Sequence, residues 1–170
     1  YVWDMYFEYI AVHPLNRFTR LVVPLITTYL RIWDQSSQNR VDHFIANSQF
    51  VRERIRSYYG RGAEVIYPPV DTDFFRPSET NDVRQDFFLA AGALVSYKRF
   101  DIIIEAFKRL NRRLVIAGGG TDVERLRQMA APNIEIRGWV HDDALRHLYR
   151  TAKGMVVAAR EDFGMTTVEA

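Results

Sequence analysis

The stretch DFFLAAGALVSYKRFDIIIEAFKRLNRRLVIAGGG, residues 86–120, sets the fold. Its first seven residues form an apolar run of buried-strand length. Phe100, Ile103, Ile104, Phe107 and Leu110 then recur at the spacing of one helix face, and RRLVIAG returns to a strand. The same alternation continues downstream. Thr121, with Glu124 three residues later, spells a capping box and predicts a helix from Thr121. Strand NIEIRG (133–138), helix DDALRHLYRTA (142–152) and strand GMVVAA (154–159) follow. Strands alternating with helices of this length imply an α/β fold, with a parallel sheet covered by helices on both faces. The last ten residues begin one more unit.

Upstream, PPVDTDFFRPSETNDVRQ (68–85) is rich in Pro, Asp, Ser, Thr and Asn and reads as an interdomain linker. The prediction is therefore a first domain over residues 1–70, a linker over 71–85 and a second domain over 86–170. Within the first, apolar residues from Phe18 to Trp33 recur at three- and four-residue steps. They predict one long amphipathic helix from about Leu15 to Arg40, bent at Pro24. HFIAN (43–47) predicts a short strand, Asn47 or Ser48 a helix cap, Gly60 the helix end, and AEVIYP (63–68) a second short strand stopped by Pro68 and Pro69.

With 48% hydrophobic and 26% charged residues, the chain has material for a core and is not a disordered protein. The formal net charge of +2, with acids and bases intermixed, gives no case for a nucleic-acid partner. One basic run, Arg52, Arg54, Arg56 and Arg61, reads either as a solvated helix face or as an attraction to an anionic membrane surface. Cysteine is absent, which excludes disulfides, thiolate metal sites and a cysteine nucleophile and is compatible with a cytoplasmic location. The apolar run from Leu21 to Leu30 is shorter than the ~20 residues of a membrane-spanning helix. No signal peptide is visible, and the opening YVWDMYFEY without an initiator methionine reads as a truncated start.

Three segments carry candidate chemistry. Gly118 to Gly120 lie between a strand and a predicted helix, where bare backbone can approach a phosphate; a tight strand-to-helix turn explains them as well. The dinucleotide fingerprint is not met, because Val123 stands at its third glycine place. In GALVSYKRFD (92–101), Lys98 and Arg99 follow a strand of a parallel sheet, where ligands bind, and can neutralise a diphosphate. The alternative is two solvated cations at a helix start, although the helix dipole mildly disfavours them there. In EDFGMTTVEA (161–170), Glu161 follows a buried strand, the Phe163, Gly164, Met165 and Thr166 amides open a helix, and Glu169 lies about two turns on. Helix-start amides suit phosphate, and carboxylates accept from sugar hydroxyls. A dipole-stabilising acid with an unrelated surface Glu is the plain alternative.

EDFGMTTVEA resembles the signature of the retaining glycosyltransferase family four, of two-Rossmann-domain (GT-B) architecture: two glutamates flank seven residues, with a Phe-Gly pair after the first. VDHFIANSQFVRERI and VIYPPVDTDFF resemble that family's interdomain region, and YKRFDIIIEAF followed by LVIAGGG the start of its donor domain. WDMYFEY and RIWDQSSQNRVD resemble its bacterial mannosyltransferase branch. The resemblance implies the end of one Rossmann-like domain followed by an incomplete nucleotide-sugar-binding domain, inactive by itself. It implies no bound cofactor beyond a nucleotide-sugar donor, GDP-mannose, and a saccharide or lipid-linked acceptor, with cytoplasmic work that includes peripheral membrane contact.

By that resemblance Glu161 acts on the donor hexose, Glu169 holds the ribose hydroxyls and Lys98 the diphosphate. The backbone of Gly138, Trp139 and Val140 meets the base, and the Phe163 to Thr166 amides meet phosphate and sugar. Two departures stand out: Ala93 replaces a usual arginine, which removes one charge-assisted phosphate contact unless Arg99 substitutes, and Thr167 replaces a frequent proline. Asp71-Thr72-Asp73 spells the D-x-D cation motif of another glycosyltransferase architecture. It follows two prolines in a linker, where aspartates organise turns, and the four histidines are scattered, so no metal is expected. The competing functional classes are a nucleotide-binding module without catalysis and a membrane-surface interaction domain.

Overall fold

A computed structural model describes residues 3, 4, 16–78 and 83–170 of the chain. The remainder of the aromatic opening, Leu15 and the linker residues 79–82 lie outside the described residues. Two compact units divide at the paired prolines, Tyr1–Pro68 and Pro69–Ala170.

In the first unit, Asn16 caps helix α1 (Arg17–Ser37), its Oδ1 accepting from the Thr19 amide at 2.8 Å. Such a cap satisfies an amide that has no acceptor within the helix. Pro24 removes one donor but does not interrupt the helix, and the Thr27 and Thr28 hydroxyls donate one turn back to the carbonyls of Val23 and Pro24. Phe18, Leu21, Leu25 and Tyr29, one stripe of α1, are 67% to 72% exposed.

A short 3-10 turn (Gln38–Arg40) leads to β1 (Ile45–Ala46), α2 (Gln49–Tyr59) and β2 (Glu64–Val65), with β1 and β2 parallel. Both expected strands contract to the two residues that find ladder partners. Of the two candidate caps Ser48 serves, its Oγ accepting from the Val51 amide at 3.1 Å, and Gly60 ends the helix at φ 65° as the turn requires.

Most of the basic run, on α2 and just after it, is engaged locally. Arg54 pairs with Asp4, Arg52 lies 3.4 Å from Glu53, and Arg61 donates to the carbonyls of Gln38 and Asp42, both at 3.1 Å. Asp34 of α1 is a shared acceptor: Trp3 Nε1 and the Tyr59 hydroxyl both reach its Oδ2 at 2.8 Å. Trp3 also stacks on Tyr58, with ring centres 4.8 Å apart.

The second unit follows β3 (Phe88–Ala91), α3 (Phe100–Leu110), β4 (Leu114–Ala117), α4 (Val123–Met129), β5 (Ile134–Gly138), α5 (Asp142–Thr151) and α6 (Met165–Glu169). The three strands form a parallel sheet in the order β3-β4-β5. Strand alternation sends side chains to opposite faces. Ala90, Leu114, Ile116 and Ile134 pack with Ile103, Ile104 and Phe107 of α3 and Leu126 of α4. Leu89, Ala91, Val115 and Ala117 pack on the other face with Leu148 of α5 and Ala152. Helices thus cover both faces, as the alternation predicts.

Two expectations are corrected. The predicted strand GMVVAA is a single parallel bridge, Met155 to Leu89, on the free side of β3, made by Leu89 N to Gly154 O (3.0 Å) and Val156 N to Leu89 O (2.8 Å). The Thr121–Glu124 capping box does not form: α4 starts at Val123, and Glu124 pairs with Arg127 at 2.6 Å. The reason is upstream, where the Asp122 amide donates to the Leu94 carbonyl at 2.9 Å and holds the chain in a loop past Thr121.

The linker is packed rather than free where described. Asp71 organises its first turn, with its Oδ1 accepting from the Phe74 amide (2.9 Å) and its carbonyl from the Phe75 amide (2.8 Å). Arg150 of α5 then holds the Arg76 carbonyl through Nε and Nη2, at 3.0 and 2.8 Å.

Candidate functional site

At the carboxyl edge of this sheet the loops after β3, β4, β5 and the Met155 bridge lie side by side, the place where open α/β sheets bind ligands. After β3 the chain makes a 3-10 turn, Ser96–Lys98, and Arg99 takes a left-handed conformation at φ 55° before α3 begins. That turn brings the Lys98 Nζ onto the Glu161 Oε1, which arrives from the loop after the bridge. The two strand positions are neighbours, so residues distant in sequence meet at one edge. Their side chains are 21% and 25% exposed, open enough for a ligand to exchange for either partner. Arg99 is not brought to this pair: its Nε and Nη2 lie on the Asp101 carboxylate at 3.1 and 3.2 Å.

Two of the three glycines have a structural reason. Gly118 sits at φ 144°, and a Cβ there would lie 1.8 Å from the Gly92 carbonyl oxygen. Gly120 sits at φ 158°, and its Cβ would lie 2.2 Å from the Leu94 oxygen. The loops after β3 and β4 therefore touch backbone to backbone, joined by Leu94 N to Gly119 O at 2.9 Å. Close packing of two loop backbones is a reason for Gly118 and Gly120 that neither the phosphate reading nor the tight-turn reading had supplied.

Gly138, at φ 77°, gives its carbonyl to the Gly118 amide at 2.7 Å and turns β5 toward the same edge. Trp139 follows, 66% exposed, with its ring edge-on to His141 at 4.4 Å, while Val140 packs inward beneath α5.

In the last segment Gly164, at φ 81°, permits the sharp entry into α6, and its carbonyl accepts from the Thr167 amide at 2.9 Å. The Met165 and Thr166 amides open the helix, in its first turn, where amides have no acceptor within the helix. Phe163 and Gly164 precede the helix rather than belong to it. Glu169 turns toward α5, where the Tyr149 hydroxyl donates to its Oε2 at 3.2 Å. Burial, followed by the charge and hydrogen bond of Glu169, pushes the Tyr149 phenol well above its usual range. Beside this pair opens a cleft of about 430 Å³ lined by Phe75, Arg76, Arg146, Arg150 and Glu169 among others.

Lys98 and Glu161 therefore meet, whereas Glu169 is paired with a residue that sequence reasoning did not single out. Tyr149 carried one faint signal: Arg146, Tyr149 and Arg150 fall on one face of α5, at spacings of three and four. Nothing in that spacing points to a carboxylate 20 residues away.

Residues 8–74 match the family described as Glycosyltransferase Family 4, and residues 71–170 match Glycosyl transferases group 1. The O-antigen chain mannosyltransferase C of Escherichia coli is 32% identical over 94 residues, covering 51% of this chain and 25% of that protein. The GDP-mannose-dependent alpha-(1-6)-phosphatidylinositol monomannoside mannosyltransferase of Mycobacterium tuberculosis is 33% identical over 119 residues, 58% of this chain and 31% of its own length. Among solved structures, Anabaena HepE in complex with UDP and glucose matches with a TM-score of 0.68 at 19% identity, over 82% of this chain and 44% of that one. The chain spans 25% to 37% of the length of the curated relatives it matches. With a group 1 match across residues 71–170, more than half its length, and a GT-B-type α/β fold, this chain belongs to the glycosyl transferases group 1 family.

Proposed function

We propose that this protein is a retaining hexosyltransferase that moves mannose from GDP-mannose onto a saccharide or lipid-linked acceptor. One observation carries the reading: a lysine cation and a carboxylate, Lys98 and Glu161, share one spot at the carboxyl edge of the parallel sheet. A diphosphate needs the first and sugar hydroxyls need the second. In this reading Lys98 stabilises the charge that develops on the departing diphosphate, and Glu161 fixes the hexose through its hydroxyls. The acceptor oxygen bonds to the anomeric carbon on the face the diphosphate leaves. The bond from that carbon to the phosphate oxygen breaks, and the acceptor proton passes to the departing phosphate. Such catalysis is positioning and electrostatic stabilisation.

The choice of mannose and guanine draws support from the two mannosyltransferases that the chain resembles at 32% and 33% identity. The same reading puts the work on the cytoplasmic side, peripheral to a membrane that carries the acceptor. Among the described residues no helix is long and apolar enough to cross a membrane.

Titration of the protein with GDP, UDP, GDP-mannose and UDP-glucose, followed by a transfer assay with the anomeric configuration of the product read by NMR, tests the proposal. Turnover of GDP-mannose with retained configuration is expected. Turnover of uridine donors alone, or an inverted product, overturns it. Nucleotide binding with no transfer to any acceptor identifies a non-catalytic nucleotide-binding module instead.

A further inference from the structure

Glu169 sits on α6, a helix of five residues, so its own element offers little to fix its carboxylate. The fixing comes from α5. There Leu148 and Thr151 are buried and anchor the helix to the sheet, and Tyr149, between them in sequence, turns its hydroxyl to Glu169 Oε2 at 3.2 Å. The Tyr149 ring is itself held: Phe75, from the segment after the paired prolines, packs edge-on against it at 5.9 Å and 63°. That segment is in turn latched to the same helix, with Arg150 on the Arg76 carbonyl and Arg146 lying 4.1 Å over the Phe74 ring. A rigid donor thus occupies one oxygen of the carboxylate of Glu169, a residue that lines the cleft together with Tyr149.

We infer that Tyr149 is a positioning residue for Glu169: it sets the plane of the carboxylate so that the remaining acceptor positions meet two neighbouring hydroxyls of the donor ribose. The inference rests on the reading of Glu169 as the ribose-binding residue and adds the group that orients it. A carboxylate has about four acceptor directions in one plane, and a vicinal diol presents two donors at fixed spacing. A freely turning carboxylate meets both at once only after its own rotation is frozen, a cost that a held carboxylate avoids. A protonated phenol suits this part, since it donates without adding charge. Its titration, displaced upward by burial and by Glu169, keeps that proton in place through neutral pH.

The test uses the whole protein with Tyr149→Phe, Glu169→Gln and the double variant, titrated calorimetrically with GDP and with 2′,3′-dideoxy-GDP. Tyr149→Phe keeps the ring against Phe75 and removes only the hydroxyl. It is expected to weaken GDP about three- to tenfold, the range of one hydrogen bond, and to leave dideoxy-GDP unchanged. The double variant should lose no more than Glu169→Gln alone, because the hydroxyl acts through the carboxylate. In the transfer assay the loss should fall on donor KM more than on kcat. If Glu169→Gln weakens GDP while Tyr149→Phe binds it as the unmodified protein does, the positioning role is wrong and the ribose reading stands. Equal weakening of both nucleotides by Tyr149→Phe shows a structural effect and also overturns the role. If Glu169→Gln changes neither nucleotide, the ribose reading itself falls.

Discussion

Lys98 donates to the carboxylate of Glu161 across a separation of 63 residues. Parallel pairing makes the contact: the bridge at Met155 lies beside β3, so the loops leaving these two neighbours run out at the same edge. Each partner is about three-quarters buried, and each would be left without its opposite charge if the other were removed.

Lys98→Ala is expected to lower kcat on the order of 10- to 100-fold and also to weaken GDP, because its charge-assisted contact is made to the bound diphosphate and strengthens as that group departs. Glu161→Gln is expected to lower kcat on the order of 100-fold with a smaller change in nucleotide affinity, since it keeps the shape and removes the charge. Steady-state transfer kinetics and GDP titration separate the two. Equal loss of GDP affinity in both variants would contradict the division of labour.

Ala93 is exposed, one residue past Gly92 in the loop after β3. Arg99 is already committed to Asp101, at 3.1 and 3.2 Å, and so is a poor stand-in for a cation at position 93. Ala93→Arg is therefore expected to tighten GDP binding by about tenfold, at the low end for one charge-assisted contact. Unchanged affinity would mean that the diphosphate does not approach this loop.

Gly118→Ala and Gly120→Ala should each destabilise the fold by about 2–6 kcal/mol, combining backbone strain with overpacking. Gly119→Ala should cost far less, because its Cβ would rest at an ordinary 3.5 Å from the Trp139 Cβ. Urea unfolding of the three variants checks the order. If Gly119→Ala proves the most damaging, close contact with the Gly92 and Leu94 backbone is not what selects these glycines.

Tyr59 introduces a dependence on alkaline pH. Burial, then its hydrogen bond to Asp34 and the charge of Asp34, push its phenol up to about 12 from 10.0. A pKa raised on folding adds stability that is complete below the unfolded value of about 10 and is lost as pH rises toward about 12. Partial exposure screens the effect, to about 1 kcal/mol or less. The stability difference between the unmodified protein and Tyr59→Phe, followed by denaturant unfolding from about pH 9 upward, should shrink through that window. A constant difference would show that Tyr59 keeps no privileged proton.

Residues 86–120 determined the α/β class without help, because strand and helix periods are written in local apolar spacing. Ser48, one of the two caps the sequence offered, and Gly60 as a helix end belong to the same class of local choices, each settled by a few neighbouring atoms. Sequence also marked Lys98, Glu161 and Glu169 as chemically apt, from residue type and from their places after predicted strands. Tertiary structure alone decided which of them meet. Lys98 found Glu161 because two strands far apart in the chain lie side by side. Glu169 found Tyr149 because α5 crosses the sheet beside it. The failed capping box at Thr121 and the need for Gly118 and Gly120 arise from the same cause, contact with the backbone of Gly92 and Leu94. Periodicity reports how a segment partitions between water and core. It carries no information about which backbone or carboxylate from elsewhere in the chain will arrive against it.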